Sequence, residues 1–485
     1  MKKNKIWTSI LVFFVILFLL ISCFYFISVR NKKEVTQTED ILDYQYELEE
    51  SYMEDYELNN YTLDNPKVIL DPYNMSPLTA IVMFKTDESE VVTVTVEGKD
   101  DKTTIINTFD TDTDHILPIY GLYAGTDNTV IISIGNITKE ITITTEALPD
   151  DFILPTYVYA DKEQVSDDLI FVSTAAAGNA AAYDVNGDVR WYLEGNYSWD
   201  IQRLDNGHLM LSSNRQINYP YYTVGLVELD LTGKIYKEYT LPGGYHHDVY
   251  EMPNGDLLVA SDDFSRGTVE DYVVLLSRET GEIIKTWDIA SVLPEDEGIS
   301  ENWTETDWFH NNAVWYDEST DSITLSGRHL DAVINIDYNT GDLNWIIGDS
   351  TNWGEEMQQY FFTPVGDNFE WQWSQHAAMV LPDGDIFIFD NGNNRSKIEE
   401  DYISANDNYS RGVIYNINTD DMTIEQVWEY GKERGNEFYS PYISDVDYLG
   451  ENHYLVHSGG IGTLDGESLN QPGVSIEGAE LNSIT

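Results

Sequence analysis

Residues 247–261 read HDVYEMPNGDLLVAS: a short alternating strand, a Pro-Asn-Gly turn, and a second, mostly apolar strand. Apolar–polar alternation marks a half-buried strand, and an Asn-Gly pair between two such runs marks a hairpin. The pattern returns at 199–214 (WDIQRLDNGHLMLSSN) and at 376–390 (HAAMVLPDGDIFIFD). A second kind of hairpin is interleaved with it, at 183–193 (YDVNGDVRWYL), 228–239 (ELDLTGKIYKEY), 277–289 (SRETGEIIKTWDI) and 335–347 (NIDYNTGDLNWII). Two hairpins make a four-stranded unit, and recurrence of such units indicates a β-propeller. Six units are expected, with inner strands near Leu169, Asp200, Asp248, Asn311, Ala377 and Asp445. Asn206-Gly207, Asn254-Gly255 and Asp383-Gly384 are expected to form two-residue loops with both residues at positive φ. Asp184, Asn186 and Asp188 are spaced like calcium-loop ligands, but the distal Glu is missing, so a hairpin is expected there.

Aligning the units on their turn glycines brings chemistry-bearing residues into one slot. The position eight before Gly207 is Trp199, eight before Gly255 is His247, and eight before Gly384 is His376. The unit HNNAVWYDESTDSI (310–323) has a longer turn and places His310 there, and YISDVDYLGENHYL (442–455) places Ser444 there. Equivalent positions of a structural repeat occupy equivalent places, so three histidines are expected to meet at a central channel. Arg328, in TLSGRH (324–329), lies on the strand following that of His310 and is expected to reach the same channel. Imidazoles could hold a metal ion. Asp248 is the only acid adjacent to one of the three histidines, and an acid-poor site containing an arginine suits an oxyanion better. Neutral imidazole is also a nucleophile towards sulfur or phosphorus. No Gly-rich phosphate loop is present, so a nucleotide-borne donor has no evident cradle, and no cofactor or metal is expected.

Working outwards, residues 64–150 read as a small β-sandwich: VVTVTVEGK (91–99), TVIISIG (129–135) and ITITT (141–145) alternate cleanly. Residues 34–63 are acidic and read as a stalk, with room for a short helix. At the N-terminus, Lys2, Lys3 and Lys5 precede an uncharged apolar run from Ile6 to Val29, and Arg30, Lys32 and Lys33 follow it. Such a run is long enough to span a bilayer, so residues 1–33 are expected to anchor the chain with its body outside the cytoplasm. Leu20-Ile21-Ser22-Cys23 also fits a lipobox, with Cys23 as the lipidated residue. Cys23 is the only cysteine, which excludes an intrachain disulfide. The net charge of −59 makes nucleic acid an unsuitable partner. The expected architecture is therefore all-β: an N-terminal anchor, a small sandwich, and a six-bladed propeller over residues 151–485.

The segments GGYHHDVYEMPNGDLLV (243–259), DWFHNNAVW (307–315), TLSGRH and QWSQHAAMVLPDGDIFIFDNGNNR (372–395) together resemble the bacterial arylsulfate sulfotransferases. NPKVILDPYNMSPLTAIVMFKT (65–86), HILPIYGLY (115–123) and NTVIISI (128–134) resemble that family's N-terminal β-domain. The resemblance implies transfer of sulfuryl from a phenolic sulfate ester to a phenolic acceptor, in ping-pong fashion and without the nucleotide donor PAPS. It implies His376 as the nucleophile that forms a sulfohistidine, His310 and Arg328 as an oxyanion-binding pair, and His247 as proton carrier, with His246 a second candidate. Asn312 matches a binding position. Trp199, Trp308, Trp371 and Trp373 are candidates to hold the aryl ring, and Ser444 fills the remaining slot. Hydrolysis with water as acceptor, a metal-dependent hydrolase and a non-catalytic ligand-binding propeller are the competing readings. The family's further strands after the HSGGIG motif (457–462) are missing, so the last unit is expected to be incomplete or closed by another segment such as LPTYVYA (154–160).

Overall fold

The computed structural model describes residues 38–173, 179–195, 197, 199–218 and 222–485. The apolar run and Cys23 lie outside these residues. Among the described residues, no helix is long and apolar enough to cross a membrane. Thr38–Leu58 forms one continuous α-helix of 21 residues, longer than the short helix expected. It contains neither Gly nor Pro, which suits a long uninterrupted helix. It belongs to a unit ending at Tyr61, and Thr62–Thr485 forms a second compact unit.

The second unit is all-β and begins with one five-stranded sheet. Its two long strands, Ala80–Val96 and Ile105–Ile119, pair along most of their length. Lys67–Leu70 adds to one end of Ala80–Val96, and Asp127–Ile134 adds to the other. Hydrogen bonding thus joins the expected sandwich layers into a single sheet, with an irregularity between Lys85 and Glu90. Its apolar face, including Val82, Val94 and Ile132, shares a core with Ala181, Val189 and Tyr192 of the next sheet. Arg190 ties the same two regions: its fully buried guanidinium donates to Gly121 O, Thr103 O and the Asp184 carboxylate.

Six further antiparallel sheets follow in chain order. Sheet one holds Ile170–Val172, Ala181–Tyr183 and Val189–Tyr192. Sheet two runs from Gln202–Arg203 to Ile235–Tyr245, sheet three from Val249–Glu251 to Ile283–Asp288, and sheet four from Asn311–Asp317 to Leu343–Ile347. Sheet five runs from His376–Val380 to Thr423–Tyr430, with Thr363–Val365 added in parallel at its edge. Sheet six is built on Asp445–Gly450 and His453–Leu464, and Glu480–Ile484 pairs with the latter. The segment 154–160 forms no strand and Tyr157 and Tyr159 are exposed, so the suggested closure by this segment is not what the chain does.

From sheet two onwards, each sheet packs on the next through alternating apolar side chains. Met210 and Leu226 of sheet two share a core with Leu257 and Val274 of sheet three. Leu258 and Trp287 of sheet three meet Ile323 and Leu325 of sheet four. Val333 and Trp345 meet Ile386 and Val413 of sheet five. Phe387 and Ile414 meet Val446 and Val456 of sheet six. Each fully buried Leu, Ile, Val or Phe contributes about 1.5–3 kcal/mol, so the inter-sheet cores hold the inner strands in place.

The turns correct one expectation. At Gly207, Gly255 and Gly384 only the glycine has positive φ (85°, 83° and 92°), while the preceding Asn or Asp does not. Gly207 N donates to Leu204 O and Leu204 N to His208 O. This is a three-residue loop, a type I turn closed by a left-handed glycine, rather than a two-residue loop. The same geometry closes Asp184–Asp188, where Asp184 Oδ1 accepts from the Asn186 and Asp188 amides.

Candidate functional site

Five inner strands are preceded or opened by a residue with a left-handed backbone: Trp199 (φ 65°), His247 (55°), His310 (55°), Ala377 (53°) and Ser444 (96°). Non-glycine residues rarely adopt this conformation, and it costs on the order of 1–3 kcal/mol each. The glycine spacing put His376 in this series, but the residue that takes the conformation there is Ala377. His376 pairs with Phe389, and a bulge separates it from Met379. The rings converge nonetheless. His247 lies 5.2 Å from His310 and 6.4 Å from His376, centroid to centroid. His329 stacks on His310 at 4.2 Å.

The hydrogen bonds behind each ring fix its chemistry. Asn391 Nδ2 donates to Ser440 O and Ile443 O, at 2.8 and 2.9 Å. Carbonyls only accept, so the amide oxygen of Asn391 faces His376, and His376 Nδ1–H donates to it at 2.7 Å. Burial, then the nearby Arg328 charge, holds His376 well below the ordinary imidazole range. A neutral ring whose Nδ1 bears the proton presents a free lone pair on Nε2. The residue before it is pinned as well: Gln375 O accepts from Asn312 Nδ2 at 2.8 Å, and Gln375 Nε2 donates to Ser326 Oγ and Ala332 O.

His247 is oriented through its neighbour. His246 Nε2 faces Ser261 O at 3.2 Å and must donate to it, so His246 Nδ1 accepts from His247 Nδ1–H at 3.0 Å. This leaves His247 Nε2 without a proton. Burial, then the charge of His310, pushes its pKa well down. Tyr245 Oη–H donates to His247 O at 3.0 Å and braces the left-handed residue.

His310 is the opposite case. Its Nδ1 lies 3.0 Å from Asp307 Oδ2 and 2.6 Å from Glu270 Oε2. Burial lowers its proton affinity, but the two carboxylates outweigh burial and raise the pKa to about 9. Asp307 is held down at about 2: burial raises it, and the charge and hydrogen bond of His310 overcome that. His329 donates from Nδ1 to Asp307 O at 2.7 Å, and burial, then His310, keeps it neutral.

Arg328 is buried and donates from Nη2 to Pro441 O at 3.0 Å. Among the described residues no carboxylate forms an ion pair with it. A buried guanidinium without a direct ion pair is costly, and here the carboxylates of Asp307, Asp331 and Glu270 act on it from a distance. The expectation of an acid-poor site is overturned. Asp248 Oδ2 is taken by the Val314 amide at 2.7 Å, whereas Glu270 and Asp307 stand directly against His310.

The remaining candidates divide. Trp199 packs on His247 at 4.6 Å. Trp308 has no exposed surface, lies in the core between sheets three and four, and donates to Asp271 Oδ2 at 2.9 Å. It does not border the cluster. Trp371 packs against the core of sheets four and five, and Trp373 is buried with its amide on Asp390. Ser444 Oγ bonds Ser440 Oγ and accepts the Gly459 amide, so it braces the loop whose Ser440 carbonyl holds Asn391. Asn312 is turned to Gln375, with its Oδ1 buried and unpaired. Glu270, Asp307, His329 and Asn391 are the residues the sequence reading missed. By distance alone, His246–His247–Glu270 or Asp307–His310–His329 could hold a cation. Both sets already use ring nitrogens in the hydrogen bonds above.

Fold and site together define an all-β protein whose inner strands gather imidazoles beside a buried guanidinium that forms no ion pair among the described residues. The chain matches the arylsulfotransferase (ASST) family over residues 156–483 and the arylsulfotransferase Ig-like domain over residues 67–147. It belongs to the arylsulfotransferase family and is a sulfotransferase enzyme. It is 26% identical to the arylsulfate sulfotransferase AssT of Escherichia coli O6:H1, over 81% of this chain and 84% of that one. It is 23% identical to the AssT of Lelliottia amnigena, over 79% and 82%. Likeness to solved structures is weak: the Dos1 propeller aligns at TM-score 0.28 and 9% identity, covering 54% of this chain and 55% of that one.

Proposed function

We propose that this enzyme moves a sulfuryl group from an aryl sulfate to a phenol through a sulfohistidine on His376. In the first half-reaction His376 Nε2 attacks sulfur, the N–S bond forms, and the S–O bond to the aryl group breaks. The phenolate leaves with the electron pair and takes a proton from solvent. Arg328 and the Nε2–H of His310 face the sulfuryl oxygens, where charge accumulates. Preorganised donors of this kind are usually the largest catalytic contribution. In the second half-reaction His247 Nε2 takes the proton of an acceptor phenol, whose oxygen attacks sulfur and returns His376 to its neutral form. His247 then gives that proton to solvent, and the cycle balances. A positioned base typically contributes about 10²–10⁴-fold. Trp199, against His247, is suited to stack on the aryl ring.

The single observation carrying this reading is the neutral His376, its Nδ1 occupied by Asn391, beside a buried guanidinium that forms no direct ion pair among the described residues. We read the six sheets as the blades of a propeller around this site, since sheets two to six each pack an apolar face on the next in chain order. The N-terminal apolar run supports a membrane tether with the catalytic body outside the cytoplasm. Turnover of a chromogenic aryl sulfate with and without added phenol tests the function: release of the donor phenol should depend on the acceptor concentration. Donor consumption that is saturated in water alone, with no sulfated acceptor formed, would make the enzyme a hydrolase.

A further inference from the structure

Glu270 stands outside every motif that identified the site, yet it is fully buried against His310. It is joined to that residue's surroundings at three points. Its backbone O accepts the Asn311 amide at 2.8 Å. Its Oε1 accepts from Tyr222 Oη–H at 3.1 Å. Its Oε2 lies 2.6 Å from His310 Nδ1 and has no other partner among the described residues. The backbone at Glu270 is left-handed, with φ 58°. That strain, in a residue with a long side chain, is sustained only where the surroundings fix the conformation.

We propose that Glu270 is a positioning residue that, together with Asp307, keeps the His310 ring permanently cationic, so that its Nε2–H serves as a fixed donor to the sulfuryl oxygens. This inference rests on the sulfuryl-transfer reading above. Two carboxylates against one ring nitrogen are tolerable in a buried site only if the ring carries a charge. Asp307 alone would balance one positive charge. The second carboxylate is needed because buried Arg328, whose amide bonds His310 O, adds a second positive charge, whereas His247, His376 and the stacked His329 face the cluster as neutral rings. Glu270 and Asp307 together therefore match the two positive charges of His310 and Arg328. The same reasoning excludes His310 as the base of the second half-reaction and leaves that role to His247. Asp262 and Asp271, which lie near Glu270, do not bond His310 among the described residues: Asp262 accepts the Glu270 amide and Asp271 accepts from Trp308.

The test uses the whole chain labelled with ¹⁵N-histidine, with the His310 signal identified by its loss in His310→Gln. Wild-type His310 should stay charged well past neutrality. In Glu270→Gln its titration should fall by at least about one pH unit, a tenfold change in charged fraction. The alkaline limb of aryl sulfate turnover should move down by the same amount, with activity at the acid end little changed. An unmoved titration and an unmoved alkaline limb in folded Glu270→Gln would overturn the inference while leaving sulfuryl transfer intact. If Glu270→Gln does not fold, the wild-type spectrum decides, since His310 titrating below about 7 overturns the proposal. A raised His310 titration in a protein with no aryl sulfate turnover at any pH would uphold the clamp and discard the functional reading.

Discussion

His310 and His376 border one cluster, but the walls behind them differ. Behind His310 stand the Glu270 and Asp307 carboxylates, and behind His376 stands the Asn391 amide. In both rings it is Nδ1 that meets the group behind, which leaves Nε2 on the opposite edge of the ring. The carboxylate wall drives the ring to the cation, with a pKa of about 9, while the amide wall leaves it neutral. On the proposed reading, one side chain type thus supplies a fixed positive donor on one side and a nucleophile on the other. The choice is made by groups that never touch the substrate. Environment pushing like groups apart in pKa is a general means of assigning roles in an active site.

The largest test of this contrast removes the nucleophile. His376→Asn should lose transfer by about 10⁴-fold or more while the fold persists, measured as acceptor-dependent turnover beside a thermal melt. Arg328→Lys should cost about 10²–10³ in kcat, since a point charge replaces the planar fork on the sulfuryl oxygens. Asn391→Asp makes the two walls alike. A carboxylate on Nδ1 should raise the His376 pKa, so that turnover is lost on the acid side and recovers only as pH rises and the ring gives up its proton. The pH dependence of kcat/KM measures this directly. Asn391→Leu instead should cost about 10-fold or more by freeing the tautomer, with no such acid limb.

The charge on His310 also has a signature in stability. Its pKa in the folded chain lies above the unfolded value of about 6.5, so its stabilising contribution is complete below that value and is lost as pH rises through about 9. Melting points between pH 7 and 10 should fall in the wild type and change less in His310→Gln. The smallest effect on catalysis belongs to Trp308→Phe. Loss of its bond to Asp271 should lower the melting point, while the KM for the aryl ester stays put, because Trp308 is core.

How much of this was legible in the sequence follows from what repeats. The inner strands and the meeting of His247, His310 and His376 could be read from turn glycines, because a structural repeat carries its positions with it. The displacement of His376 by one residue could not, because it depends on a bulge at Ala377, where the spacing to Gly384 is unchanged. Asp307, three residues before His310 in DWFH, carried a weak local signal. Glu270 carried none: it arrives from a loop before Tyr272, forty residues upstream of His310, and enters only through tertiary packing. Asn391 follows an apolar strand and reads as an ordinary strand end. The aromatic residues misled for a related reason. Trp308 lies two residues before a site histidine, but just before a left-handed residue closeness in sequence says little about which way a side chain faces.

The central claim is that the neutral imidazole of His376 carries the sulfuryl group between two phenols. Brief exposure of the protein to an aryl sulfate without acceptor, followed by rapid quenching under mildly alkaline conditions and intact and peptide mass measurement, tests it most directly. The account predicts one added sulfuryl group, on the peptide containing His376, that disappears when phenol is supplied and never forms in His376→Asn. A stoichiometric sulfuryl adduct on His247 or His310, or full transfer activity in His376→Asn, would contradict it.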